Sequence, residues 1–82
     1  MAGPRIARQL TLVAENDLPK GAEVDVWKMC NLIYRRTGKT KWGSNEISGA
    51  MSSMSETFMK TDERNENNLV VFVNMKGSNY KK

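Results

Sequence analysis

Residues 61–73 read TDERNENNLVVFV: eight residues without an apolar side chain, then five that are all apolar. The polar part, Thr61 to Asn68, reads as a loop. The apolar part, Leu69 to Val73, is β-branched and aromatic, and predicts a strand buried on at least one face. Immediately upstream the period is helical. Ile47, Met51, Met54 and Phe58 recur at i, i+4, i+7 and i+11 with Ala50 beside them, opposite Ser48, Ser52, Ser55 and Glu56. Ser44 is the expected N-cap, with Asn45 as the alternative.

Towards the N-terminus the same reading continues. Pro4 opens a predicted helix to Asp17 whose apolar face is Ile6, Leu10, Val13 and Ala14. Leu18-Pro19-Lys20-Gly21 is a turn, since Pro fixes φ and Gly permits positive φ. Val24 and Val26 alternate with Glu23 and Asp25 as a short strand. A second helix then carries Val26, Cys30 and Ile33 on one face, flanked by Trp27, Met29 and Tyr34. Thr37-Gly38 ends it, with Arg35, Arg36 and Lys39 placed where cations meet a helix C-terminus favourably. Residues 39–43 form a basic connection containing Trp42.

Composition narrows the function. A chain of 82 residues reads as one domain over 1–82, with 77–82 a flexible basic tail, and has little room for a roofed active site. It has no His, which removes histidine acid–base chemistry, Ser-His-Asp triads and His-ligated metal sites. Its one cysteine, Cys30, reads as a small apolar core residue and points to a reducing, cytoplasmic setting. The longest apolar run, residues 69–73, is far short of the roughly 20 residues of a membrane span. Thr37-Gly38-Lys39-Thr40 copies the end of a phosphate-binding loop motif, but Ile33 stands where its first glycine belongs. Asp62, Glu63 and Glu66 lack the ligand density of a calcium loop. No enzymatic activity, cofactor or metal is therefore expected.

The order helix, short strand, helix, connection, helix, polar loop, strand resembles the winged helix-turn-helix domain over nearly the whole chain. The resemblance implies a small α+β fold of three helices with a two- or three-stranded antiparallel sheet. Residues 23–26 match its early strand, residues 44–51 the start of its third helix, Thr61 to Asn68 the wing tip, and Leu69 to Val73 the returning strand. In that family the third helix is presented to the DNA major groove. Two departures stand out. The stretch from Cys30 to Ile47 is longer than in compact bacterial members, and the surface that the resemblance would turn to the groove carries Ser48, Gly49, Ser52 and Ser53 beside Glu46 and Glu56 instead of Arg or Lys.

Candidate nucleic-acid contacts follow from residue chemistry. Lys28, Arg35, Arg36, Lys39 and Lys41 place five cations within residues 28–43 with no acid among them. Meeting five duplex phosphates would give a log K against log salt slope of about −4.5. Trp42 suits either stacking on a base or capping a small core. Ser44, Asn45, Ser48 and Ser52 offer donors and acceptors to base edges or phosphates, and Lys81 and Lys82 add nonspecific attraction. Met51, Met54 and Met59 read as core rather than as an adaptable binding groove.

The expectation is a small DNA-binding regulator or accessory factor, with duplex DNA favoured over RNA and a homodimer compatible with paired half-sites. The alternative is a protein-interaction module that docks on a larger machine such as a polymerase. Charge distribution keeps both open: residues 28–43 carry +5, whereas residues 44–68, with the third helix and the wing, carry −3.

Overall fold

The computed structural model describes residues 4–39 and 42–77. Helix α1 (Pro4–Asn16) buries Ile6, Leu10, Val13 and Ala14, the face its spacing predicts. Leu18 is buried in the turn that follows, and Gly21, at φ 89°, donates its N–H to the Asn74 carbonyl at 2.7 Å.

Strand β1 is Glu23–Val24 alone, shorter than the predicted 23–26. Asp25 instead caps helix α2 (Val26–Thr37), its Oδ1 accepting from the Lys28 N–H at 2.8 Å. A side-chain acceptor one residue before a helical period satisfies an otherwise orphaned N–H, and this outweighs a two-valine alternation. The buried face of α2 also differs from the expected one: Met29 and Ile33 are buried, Val26, Cys30 and Leu32 are partly covered, and Trp27 and Tyr34 are exposed. Gly38 ends the helix at φ 73°, its N–H bonded to the Tyr34 carbonyl at 2.7 Å, as the Thr37-Gly38 pair predicts.

Helix α3 (Ser44–Ser53) is capped by Gly43, not by Ser44 or Asn45. The Glu46 carboxylate reaches back to the Gly43 N–H at 3.1 Å, the half of a capping box that does not need a capping side chain. The helix also stops earlier than the apolar stripe suggests. Met54 leaves helical geometry at ψ 61°, and its carbonyl accepts from the N–H groups of both Thr57 and Phe58. That single turn keeps Phe58 at helical spacing while redirecting the chain, so Phe58 is buried as the first residue of a strand. Ser55 and Glu56 lie in the turn, not on a helix face.

Strand β2 (Phe58–Arg64) takes up the first half of what reads as a polar loop. Of its residues only Phe58 is buried and Thr61 half-buried; Met59 is exposed, against its core reading. Strand β3 (Val70–Asn74) lies between the other two in the antiparallel order β1-β3-β2. It pairs Val24 with Phe72 on one side and Phe58 with Asn74 on the other. Val71 and Phe72, on opposite faces of β3, are both buried, which accounts for the unbroken apolar run, whereas edge strand β2 is held by its ladder and tolerates polar side chains. The register shifts between Lys60 and Arg64, and the turn at residues 65–69 is closed by Asn65, whose Oδ1 accepts from the Asn67 and Leu69 N–H groups.

The protein is thus a small α+β fold of three helices and a three-stranded antiparallel sheet. The element order α1-β1-α2-α3-β2-β3 is compatible with a winged-helix arrangement. One core gathers α1, α2, α3 and the sheet, with Ile6, Leu10, Met29, Ile47, Met51, Phe58 and Phe72 almost fully enclosed. Asn74, with no exposed surface, ties β3 to the end of α1: its Nδ2 donates towards the carbonyls of Ala14, Leu18, Pro19 and Lys76. Gly77, at φ 95°, lies so close to the Leu18 carbonyl that a Cβ would collide with it.

Candidate nucleic-acid interface

The packing of α3 against β2 and β3 opens a cleft of about 240 Å³. Ser44, Asn45 and Ser48 line it from α3, Val26 and Trp27 from α2, and Arg64, Asn68, Leu69, Val70 and Phe72 from the hairpin. Three of the sequence-predicted contacts therefore meet in one place. Ser52, further along α3, is exposed but does not line it. Helical geometry explains the split, since Ser44, Asn45 and Ser48 span one turn at the capped end while Ser52 is a turn further on.

No carboxylate lines this cleft, although the segment that supplies α3 and the hairpin is acidic overall. Glu46 is turned back to the Gly43 N–H. Asp62 and Glu63 stand exposed on β2, and Glu66 lies in the turn. Among the described residues no three or more acidic or Cys side chains converge into a metal site. The cation in the cleft is Arg64, whose Nη1 donates to the Asn68 carbonyl at 3.0 Å. That bond folds the side chain across the hairpin turn, where Asn68 takes the left-handed φ of 62°. Its other guanidinium donors bond no other described residue.

Arg64, Asn68 and Trp27 are the cleft residues that sequence reasoning missed. Arg64 sits among acids in a stretch whose composition reads as loop, and Trp27 reads as a flank of the core. Trp27 is 53% exposed and lines the cleft. The hairpin is tied to the start of α2 where Asn65 Nδ2 donates to the second Asp25 carboxylate oxygen at 2.6 Å.

The described cations of the basic cluster line different pockets. Arg36 donates to both Asp17 carboxylate oxygens at 3.1 Å, clamping α2 to the end of α1, and Arg35 shares that surface with Asp17 and Leu32. Lys39 joins Arg5, Arg8 and Trp42 around a different pocket. Trp42 is half-buried against the core and also forms part of that pocket's wall. Lys41, Lys81 and Lys82 lie outside the described residues.

Cys30 is half-buried. Desolvation, and secondarily the negative charge of Asp25, push its thiol above the ordinary range, which disfavours the reactive thiolate.

Among the described residues no helix is long and apolar enough to cross a membrane. No family model matches the chain, and no curated protein or solved structure gives a significant match.

Proposed function

We propose that this chain is a small duplex-DNA-binding protein of winged-helix type, a regulator or accessory factor. It presents the capped end of α3 to the groove and uses the β2–β3 hairpin as its wing. The supporting observation is the make-up of the α3–hairpin cleft. Hydrogen-bonding side chains from α3 and an arginine from the hairpin face one opening, and the carboxylates of the surrounding acidic segment are absent from its lining. Ser48 and Asn45 supply the donors and acceptors that base edges or phosphates need, and Arg64 supplies charge-assisted contact to the backbone. An exposed helix end suits the wide major groove of DNA better than the deep, narrow groove of duplex RNA.

The experiment is fluorescence anisotropy with generic duplex DNA, single-stranded DNA and RNA in parallel, each across a salt titration. Duplex DNA is expected to bind most tightly, with affinity falling as salt rises. Equal binding of all three, or none, counts against the proposal.

A second reading, docking on a partner protein, is favoured by Trp27, which is exposed at a cleft floored by Val26, Leu69, Val70 and Phe72. Exposed tryptophans are common anchors of protein interfaces. This reading prevails if Trp27→Ala abolishes a stoichiometric complex recovered from nuclease-treated lysate while duplex affinity is absent or unchanged.

A further inference from the structure

The pocket on α1 and the α2–α3 connection shares no residue with the α3–hairpin cleft. It encloses about 250 Å³ and is lined by Arg5, Arg8, Gln9, Thr37, Lys39 and Trp42. Two of its cations come from the start of α1 and the third from the residue after the α2 C-cap, so the fold converges charges that lie about thirty positions apart in the chain. No acidic side chain lines the pocket, and among the described residues none of the three cations is ion-paired. The one ion pair of the described residues, Arg36 with Asp17, belongs to a different surface.

The start of α1 makes this arrangement costly in the free protein. A helix N-terminus carries partial positive charge and favours acids over cations. The first turn of α1 holds no acid, and Arg5 lies within it with Arg8 one turn on. A bound anion reverses the sign of all these terms together, since helix end, guanidinium groups and ammonium then face opposite charge. Local conflicts of this kind are expected at functional sites. The volume lies below the roughly 300 Å³ at which pockets for drug-sized ligands begin. That limits the occupant to a phosphate with little more than one ring system.

We propose that this pocket is a phosphate-ester site, in which Arg5, Arg8 and Lys39 hold the phosphate and Trp42 forms the wall beside the attached nucleoside. A free nucleotide and a phosphate of a nucleic-acid strand present the same chemistry. The connection that carries Trp42 runs straight into Gly43, the cap of α3, so occupancy bears on the loop that sets the α3 end of the cleft.

The test is an NMR titration of the full chain, at constant ionic strength, with adenosine monophosphate, adenosine and single-stranded hexathymidylate. The monophosphate is expected to move the amide signals of Arg8, Thr37 and Lys39 and the Trp42 indole signal, and adenosine to leave them in place. Arg8→Gln and Lys39→Gln are each expected to weaken binding about tenfold. Movement of the same signals by the oligonucleotide but not by the monophosphate assigns the phosphate to a strand and upholds the site. The proposal is overturned if neither phosphate ligand moves these signals, or if both variants bind as the wild type does. Lys39 lies outside the helices, so Lys39→Gln carries the test should Arg8→Gln fail to fold. The outcome is independent of duplex binding through Arg64, which shares neither residues nor probe with it.

Discussion

Replacing Asn74 with Ala removes the polar group that joins β3 to the end of α1. The Asn74 amide nitrogen lies 2.9 Å from the Ala14 carbonyl and 3.3 Å from Leu18 in buried bonds, and 3.1 Å from Pro19 and 3.0 Å from Lys76 in partly buried ones. The four acceptors share the amide hydrogens through bifurcated bonds, so the loss is smaller than that of four full bonds. A net hydrogen bond contributes about 1 kcal/mol, and a buried polar group left unpaired costs about 1–3 kcal/mol. With part of the donor set lost and at least one carbonyl stranded, Asn74→Ala is expected to cost about 3 kcal/mol. A chain of this length has a total stability of roughly 4–12 kcal/mol, and each kcal/mol shifts Tm by about 4–8 °C. The variant should therefore melt about 12–24 °C lower. Urea unfolding followed by circular dichroism is the assay, with an unchanged m-value showing that the native state is still compact. A loss below about 0.5 kcal/mol would refute the reasoning, because it would mean that the stranded carbonyls find other donors at no cost.

Three further outcomes are expected. Asp25→Ala should cost about 1 kcal/mol through the lost α2 cap, and should speed hydrogen exchange at Asn67 and Leu69 by freeing Asn65, which Asp25 holds at 2.6 Å; unchanged exchange would show that the hairpin turn is set by its own bonds. Gly77→Ala should destabilise by more than 1 kcal/mol in a denaturant melt, roughly what a Cβ at positive φ alone costs, because it also meets the Leu18 and Ala14 carbonyls; a neutral result would place Gly77 elsewhere. Cys30 should alkylate more slowly than a free cysteine, with its pH–rate profile displaced upward, since burial and then Asp25 favour the neutral thiol; a rate at or above that of free cysteine would contradict this burial.

The helices were legible wherever a side-chain period met a clear terminator. Ile6, Leu10, Val13 and Ala14 defined α1, and Gly38 ended α2 where its pairing with Thr37 predicted. Strand β3 was legible because Val71 and Phe72, on opposite faces, are both buried, which calls for an unbroken apolar run. Strand β2 was not, because an edge strand is held by backbone bonds that leave no mark on side-chain pattern; Lys60 to Arg64 look the same in a loop or a ladder. Phe58 misled for a related reason, since one helical turn at Met54 preserved its spacing after α3 had ended. Of the candidate contacts, Ser44, Asn45 and Ser48 were legible as hydrogen-bonding side chains at the start of the third helix, and the fold brings them to one cleft. Arg64 was not, because its place in that cleft depends on a hairpin that brings it opposite α3. The basic cluster reads as one run in sequence, but Arg36 is paired with Asp17, which lies just past the end of α1 and nineteen residues away in the chain.

The most direct test of the DNA-binding proposal is the salt dependence of duplex affinity in wild type and Arg64→Gln. Log K is expected to fall linearly with log salt in both, with the variant's slope shallower by about 0.9, the contribution of one phosphate contact. Identical slopes, or an affinity that does not depend on salt, would contradict the assignment of this cleft to DNA.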